Sequence, residues 1–193
     1  MTHPLILQLD VAGNPQAWIS FEIACYYYAK DLVAWTPTQG NFTVFGGTSR
    51  YTCNRSFMDM STIIAVKGEM GDKHIHRAPT LSNRGLFRRD CYSCAYCGYE
   101  YGTDKLTRDH IIPTSRNGKD VWLNVVAACS GCNRYKDNKT PEEAGMPLLF
   151  EPYIPTATEM LFLMNKHVLD EQAEFLKSRI PAHSRVHNPI THN

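Results

Sequence analysis

The segments CAYC (94–97) and CSGC (129–132) are two CxxC pairs separated by the segment 98–128. Four thiolates match the tetrahedral coordination that structural zinc prefers. A zinc ion held by both pairs would close the segment 98–128 into a loop. The sequence therefore predicts a Zn²⁺ site formed by Cys94, Cys97, Cys129 and Cys132.

Other cysteines leave an alternative open. Cys91 creates a second spacing, Cys91-x-x-Cys94, so the first pair could be shifted by three residues. We favour Cys94 with Cys97 because Gly98 follows directly and supplies a turn. The count of seven cysteines is odd, which argues against a complete disulfide framework, and Cys25 and Cys53 are expected as ordinary thiols. The competing interpretation of the four pattern cysteines is buried thiols without a metal.

Composition places the chain among ordinary globular proteins. Its 193 residues carry a formal net charge of +1, and no apolar run approaches the roughly 20 residues that span a bilayer. The N-terminal stretch MTHPLILQLD has no basic region, and Asp10 interrupts its apolar run, which excludes a typical signal peptide. We expect a cytoplasmic protein of a bacterial or phage-infected cell, with no membrane partner.

The segment 73–89, KHIHRAPTLSNRGLFRR, is basic and has no acidic residue. Such a run is either a solvated loop or a surface that neutralises phosphates. Its position directly before the cysteine pairs favours DNA contact, through Arg84, Arg88 and Arg89.

The N-terminal region predicts a strand followed by a helix. Residues 5–11 have strand character and 13–15 form a turn, whereas Ser20 is a suitable N-cap for a helix with apolar residues at helical spacing. Short strands are expected at 42–45 and 62–66. This region leaves open a role in DNA recognition or in packing.

The C-terminal region predicts one amphipathic helix over 158–179, after Pro152 and Pro155. The tail 181–193 is polar and is expected to be mobile. It contains three histidines, His183, His187 and His192.

The loop between the cysteine pairs holds more than a structural zinc site needs. Residues 107–113 predict a strand that contains the polar pair Asp109-His110, and the turn-rich segment 114–119 follows. Residues 122–128 return as a second apolar segment, and 132–136 open a helix.

The order DHIIPTSRNG (109–118), WLNVVAAC (122–129) and CNRYK (132–136) resembles the HNH endonuclease family in its H-N-N variant. The resemblance covers about 84–149, with weaker similarity in the N-terminal strand and helix. It implies an α+β fold with a ββα-metal (HNH, His-Me finger) core and a structural zinc. The expected organisation is an N-terminal α+β region (1–83), the nuclease core (84–150), and a C-terminal helix with its tail (151–193).

The resemblance also implies roles for four residues. His110 matches the general base, and an imidazole is suited to that role near neutral pH. Asp109 and Asn133 match ligands of one catalytic ion, Mg²⁺ or Mn²⁺, since hard cations prefer oxygen donors. Asn124 matches the residue that ties the hairpin loop together and orients the base. Cleavage in this family leaves a 5′-phosphate.

Each residue alone has a simpler interpretation: a surface Asp-His pair, a turn asparagine, or a helix cap. Geometry raises a further objection, because adjacent residues of a regular strand point to opposite faces. We therefore predict that the strand ends or bulges at Asp109 and His110.

Basic residues around these positions are candidates for phosphate contacts, with solubility as the alternative role. They are Arg108, Arg116, Lys119, Arg134 and Lys136. The leading hypothesis is a metal-dependent endonuclease acting on double-stranded DNA, in phage packaging, homing or restriction. The alternatives are a non-catalytic zinc-stabilised module that binds DNA or protein, and an RNA-directed nuclease. A homodimer or a phage packaging partner stays open.

Overall fold

A computed structural model describes residues 3–37, 40–68 and 78–188. The chain divides into two compact units, one formed by Met1–His76 with Met164–Arg179 and the other by Arg77–Leu163 with Ile180–Asn193. The last third of the sequence therefore contributes to both units. No described helix is long and apolar enough to cross a membrane.

A four-stranded sheet forms the centre of the first unit. Its order is β2 (Pro15–Ile19), β1 (Ile6–Leu9), β6 (Ile63–Val66) and β3 (Val33–Trp35). Strand β1 pairs parallel with β6, and the other pairs are antiparallel. The strands predicted at 5–11 and 62–66 are confirmed in shorter form.

Helix α1 (Phe21–Ala29) covers this sheet. Ser20 occupies the predicted N-cap position, although its side chain makes no capping hydrogen bond. Ala24 is buried in the core, and Phe21, Cys25 and Tyr28 pack against that core as their helical spacing predicts. Phe21, Tyr27 and Tyr28 thus serve packing, whereas Tyr26 is exposed.

Strands β4 (Asn41–Thr48) and β5 (Arg55–Ser61) form a separate two-stranded ribbon in the first unit. The strand predicted at 42–45 is part of β4. Near its base, Phe42, Val44, Met58 and Met60 pack on the core. Beyond Phe45 every residue of the ribbon is exposed.

The second unit contains α2 (Asn83–Arg89), β7 (Leu106–His110), β8 (Val125–Cys129), α3 (Ser130–Lys136), α4 (Pro141–Ala144) and all but the last residue of α5 (Ala157–Met164). Strands β7 and β8 form an antiparallel hairpin, and α3 follows β8 directly. Its core combines residues of α2, β7 and β8 with Trp122. The predicted second segment 122–128 is thus a short 3₁₀ turn, Trp122–Asn124, and then a strand.

The prediction of one continuous helix over 158–179 is wrong. The structure contains α5, an interruption at 165–169, and α6 (Asp170–Lys177) in the first unit. The Asn165 side chain accepts a hydrogen bond from the backbone of His167 at 3.0 Å, a local bond that competes with helix continuation. Helix α6 then begins anew, with Gln172 donating to the backbone oxygens of Leu5 and Thr62.

The predicted mobile tail also needs correction up to residue 188. Ser184 and Arg185 are buried, and the Ser184 hydroxyl donates to the Glu159 carboxylate at 2.8 Å. The backbone of Arg185 donates to the Tyr153 hydroxyl. His192 lies outside the described residues.

Candidate active site

The four pattern cysteines converge in the second unit. Their sulfur atoms all lie within 4.8 Å of one another, and Cys94 and Cys129 are buried. A tetrahedral zinc with Zn–S bonds of about 2.3 Å separates its sulfurs by roughly 3.8 Å, so the cluster has the dimensions of a metal site. Cys91 is excluded from it, since its sulfur lies instead 4.0 Å from the backbone oxygens of Arg89 and Arg185.

Four thiolates this close together repel one another, so a cation is needed for all four to be ionised. Burial and then the neighbouring cysteines raise the pKa of Cys132. Burial also opposes ionisation of Cys129, but hydrogen bonds from Cys132 and Tyr101 outweigh it and lower the pKa of Cys129 to about 7. The group could hold zinc, and a divalent ion would offset the repulsion among the thiolates.

The hairpin that carries Asp109 and His110 is regular. Asp109 pairs with Val126 and His110 pairs with Val125 in an unshifted register, so the predicted bulge is wrong. The two side chains consequently point to opposite faces of β7. The same prediction gave the end of the strand as the other possibility, and β7 does end at His110.

Asp109 is buried in a polar network. One carboxylate oxygen accepts a hydrogen bond from Lys136 Nζ at 3.0 Å, and the other accepts from the Tyr96 hydroxyl. Burial, followed by this hydrogen bond to Asp109, raises the pKa of Tyr96, so the phenol stays a donor. The network joins β7 to α3 and to the first cysteine pair.

Lys136 therefore does not contact DNA, contrary to the sequence-based prediction. Its side chain is fully buried, and its ammonium also donates to the His110 backbone oxygen at 2.8 Å. A buried lysine needs a charged partner and full hydrogen bonding, and Asp109 provides the charge.

His110 faces a second carboxylate that the motif did not identify. Its Nε2 lies 3.0 Å from Asp120 Oδ1, and Arg108 Nη1 lies within 2.7 Å of both oxygens of Asp120. The hydrogen bond from Arg108 lowers the pKa of Asp120, against slight burial, with help from His110. The sequence did contain a hint of this contact: Asp120 lies in the loop between β7 and β8, and a hairpin loop folds back beside the end of its first strand.

Asn124 ties the hairpin loop together. Its amide donates to the backbone oxygens of Ile112 and Lys119 at 3.1 and 2.9 Å, and its oxygen accepts from the Ile112 backbone at 3.0 Å. Only glycine fits at position 118, because a Cβ there would lie 1.7 Å from the backbone oxygen of Ile112. The loop therefore requires both residues.

An open cavity of about 330 Å³ lies at the end of the hairpin. Asp109, His110 and Asn133 all border it, although the side chains of Asp109 and His110 lie on opposite faces of β7. Asn133 donates from its amide to Thr107 Oγ1 at 2.9 Å, which leaves its side-chain oxygen without a hydrogen bond to any described residue. Asp137, Asn138 and Ser115, which sequence reasoning missed, add further oxygen atoms to the lining.

The other predicted DNA contacts have different outcomes. Arg89 is fully buried, where it binds Asp90 and the backbone oxygens of Trp122, Val125 and Tyr153, so its prediction is wrong. Arg108 is paired with Asp120, and Arg116 is paired with Glu143 at 2.6 Å. Arg88 is half-buried. The exposed candidates are Arg84, Lys119, Arg134 and the paired Arg116. The start of the basic segment, including Lys73, lies outside the described residues.

These features define the ββα-metal class. They are a β-hairpin followed directly by a helix, a cluster of four cysteines, and a polar cavity at the tip of the hairpin. Residues 94–149 match the family model described as HNH endonuclease. The match supports a nuclease function in general, and nucleases of this family depend on metal ions.

Among solved structures, the chain is similar to the Type II-C Cas9 enzyme from Actinomyces naeslundii. The two sequences are 18% identical, with a TM-score of 0.31, and the alignment covers 52% of this chain. It spans only 13% of that enzyme's length. No curated protein matches the chain.

Proposed function

We propose that this protein is an endonuclease that hydrolyses phosphodiester bonds in double-stranded DNA with one catalytic divalent ion. The observation that carries the proposal is the cavity at the hairpin tip. A histidine held by a carboxylate borders it, together with several oxygen donors, on a scaffold of the HNH family. This combination matches what hydrolysis of a phosphodiester requires.

His110 acts as the general base in this proposal. When its Nε2 carries the proton and donates to Asp120, its Nδ1 lone pair is free to take a proton from water. Asp120 acts as the positioning residue that fixes this tautomer and ring orientation. Arg108 in turn holds Asp120 through both carboxylate oxygens.

Asn133 and Asp109 are the proposed ligands of the catalytic ion. The side-chain oxygen of Asn133 has no hydrogen-bond partner among the described residues. The Asp109 carboxylate keeps lone pairs beyond those used by Lys136 and Tyr96. Asp137 borders the same cavity and supplies a further carboxylate. Bound Mg²⁺ or Mn²⁺ would offset negative charge on the phosphate and the leaving oxygen. The four cysteines would hold the structural zinc.

The rival function is a zinc-stabilised binding module without catalysis. The ion pair between Asp109 and Lys136 favours it, because that pair gives Asp109 a structural role. It leaves the His110–Asp120 pair beside the cavity without a purpose.

We expect the purified, zinc-loaded protein to convert supercoiled plasmid to nicked or linear DNA when Mg²⁺ or Mn²⁺ is added. Product is measured by gel electrophoresis over time, with Ca²⁺ and no added ion as controls. Folded RNA of similar length tests the choice of nucleic acid. Tight DNA binding without cleavage under any of these ions would support the binding module and overturn the nuclease.

The N-terminal unit is proposed to contribute DNA recognition through the β4–β5 ribbon. Two-stranded ribbons are marginal without packing, and the distal half of this one is exposed on both faces. Phe45, Tyr51 and Phe57 are 56%, 100% and 67% exposed, and Arg55 stacks on Phe45 at 5.0 Å. Residues 40–58 contain two arginines and no acidic residue. A ribbon of this kind fits the major groove, which is about 12 Å wide.

The double variant Arg50→Ala/Arg55→Ala is expected to weaken DNA binding and to lower the slope of log affinity against log salt by about 2. Fluorescence anisotropy with a labelled duplex at several salt concentrations measures both. The matched control is Lys30→Ala/Lys166→Ala, which removes two exposed charges from the same unit. Equal slopes for the two double variants would contradict the role of the ribbon.

A further inference from the structure

Asp109 has one hydrogen-bond donor on each of its carboxylate oxygens, and both donors come from the segments that carry the cysteine pairs. Tyr96 lies inside the first CxxC pair, and its hydroxyl donates to Oδ2. Lys136 belongs to α3, the helix that contains Cys132 of the second pair, and its ammonium donates to Oδ1 at 3.0 Å. The proposed ligand of the catalytic ion is therefore connected to both halves of the cysteine cluster.

The two donors have different consequences for the Asp109 carboxylate. The Lys136 ammonium supplies the opposite charge that a buried carboxylate requires. A single donor on one oxygen does not fix the plane of the carboxylate, because rotation about its Cβ–Cγ bond is soft. A second donor on the other oxygen removes that freedom. The Tyr96 hydroxyl therefore determines the orientation of Asp109 rather than its charge.

The surroundings of Tyr96 fix the position of its hydroxyl. Its ring packs against the buried cysteine cluster. The backbone N–H of the preceding residue, Ala95, donates to the Ala127 oxygen of β8 at 2.8 Å. Strand β8 is also the partner of β7, which carries Asp109. A zinc ion bound by both cysteine pairs would hold this turn in place relative to β7.

A purely structural role is the alternative for this hydroxyl, in which its hydrogen bond only satisfies a buried carboxylate. Asp109 nevertheless borders the cavity at the hairpin tip, and each of its oxygens keeps a lone pair. Carboxylates that bind metal ions are commonly held by such hydrogen bonds from neighbouring groups. A carboxylate that is fixed in plane and borders a cavity has the features of a preorganised ligand.

We propose that Tyr96 is a positioning residue for the catalytic ion, with its hydroxyl orienting the Asp109 carboxylate from within the first cysteine pair. The inference rests on the proposed function, since it needs Asp109 as a ligand of that ion. Tyr96 acts through Asp109 and needs no contact with the ion or with DNA. One hydrogen bond thereby links the structural zinc site to the catalytic site.

The variant Tyr96→Phe removes the hydroxyl and keeps the ring. Mn²⁺ should bind the zinc-loaded variant about tenfold to a hundredfold more weakly than it binds the wild type, the usual cost of losing a partner of a metal ligand. Electron paramagnetic resonance of free Mn²⁺ measures the affinity, and mass spectrometry should show unchanged zinc content. The matched control is Tyr135→Phe, which removes a hydroxyl from a side chain of α3 that is 72% exposed. It should bind Mn²⁺ as the wild type does.

Cleavage kinetics distinguish positioning from a general loss of structure. Tyr96→Phe should lower the maximal rate of plasmid cleavage at a fixed, limiting Mn²⁺ concentration, with KM for DNA unchanged. Excess Mn²⁺ should restore most of that rate, because the defect lies in the affinity for the ion. A rate that stays low at every Mn²⁺ concentration, with wild-type Mn²⁺ affinity, would show that the hydroxyl has a structural role only.

The wild-type protein provides the test if Tyr96→Phe does not fold. Mg²⁺ bound at Asp109 should shift the nuclear magnetic resonance signal of the ring carbon that bears the Tyr96 hydroxyl, since the ion and the hydroxyl share one carboxylate. The corresponding signal of Tyr135 should not move. A Tyr96 signal that does not respond while Mg²⁺ binds, or wild-type Mn²⁺ affinity in the folded variant, would overturn the proposal.

The outcome is separable from that of the nuclease assay. Mn²⁺ binding that depends on Tyr96 in a protein that never cleaves plasmid would overturn the proposed function alone. Cleavage by a Tyr96→Phe protein with wild-type Mn²⁺ affinity would overturn this inference alone.

Discussion

His110→Ala is expected to lower the rate of plasmid cleavage by about 10²–10⁴-fold, the usual contribution of a general base. The imidazole is half-buried beside the cavity, and alanine leaves no group there that could take a proton from water. Folding should be unaffected, because the side chain makes its contact with Asp120 near the surface and no core contact. Initial rates of nicking in Mg²⁺, with melting curves for both proteins, measure the effect.

The matched control for this variant is His167→Ala, which removes an exposed histidine of the other unit. It should cleave at the wild-type rate. Equal activity of the two variants would remove His110 from the mechanism, whatever the plasmid assay shows for the wild type.

Two variants of Asp120 distinguish a role in positioning His110 from a general loss of structure. Asp120→Ala should lower the maximal rate by roughly tenfold to a hundredfold at unchanged substrate affinity, as partners of catalytic residues commonly do. Asp120→Asn should recover part of that loss, since its amide oxygen can still accept from His110 Nε2. Nuclear magnetic resonance of the imidazole nitrogens gives an independent readout, because the tautomer ratio should change only in the alanine variant.

Loss of one zinc ligand is expected to have the largest effect on stability. Cys132→Ser should abolish zinc binding and leave the second unit without cooperative unfolding. Structural zinc sites contribute on the order of 10–16 kcal/mol of apparent binding energy, which matches or exceeds the roughly 5–15 kcal/mol that stabilises a typical domain. Metal content by mass spectrometry and near-ultraviolet circular dichroism measure the two losses.

Cys53→Ser is the control, because Cys53 is an exposed free thiol outside the cluster. It should retain a single zinc ion per chain and the wild-type Tm. Retention of metal and of the melting transition by Cys132→Ser would show that the four thiols are not a structural zinc site.

The CxxC spacing made the cysteine cluster predictable, and the resemblance to the HNH family implied the role of Asn124 in the loop. The CxxC spacing brings two sulfurs together within one turn, and a motif asparagine in a tight loop bonds to nearby backbone groups. Both features depend on residues close in sequence or on one metal. The structure shows the convergent sulfurs and the loop hydrogen bonds.

The errors concern charges whose surroundings come from distant elements. Lys136 and Arg89 looked like surface cations, since buried cations are rare. Their burial depends on partners from other elements: β7 for Lys136, and the backbone around Trp122 and Tyr153 for Arg89. No periodicity within one segment reveals such partners. Asp120 was missed for the same reason, because its contact with His110 depends on how the hairpin loop folds back on β7.

Strand β2 was missed for a different reason. The Gly-Asn-Pro sequence at 13–15 indicated a turn, and the turn is present, but Pro15 is also the first residue of the strand. Proline is tolerated there because the first strand position can do without an N–H group. Strand β5 was missed although Met58 and Met60 alternate with polar Asp59 and Ser61.

Helix α6 links the beginning of the chain to its end. Gln172 hydrogen-bonds to the backbone of Leu5, 167 residues away, and to Thr62 in the same unit. During synthesis the strands of the N-terminal sheet emerge first, and the helix that bonds to the backbone directly before its two central strands, β1 and β6, emerges about 100 residues later. Contacts of such long sequence separation form slowly. The N-terminal unit must therefore wait for the synthesis of residue 172 before it can complete its native structure, whereas the last of the four clustered cysteines, Cys132, is synthesised 40 residues earlier.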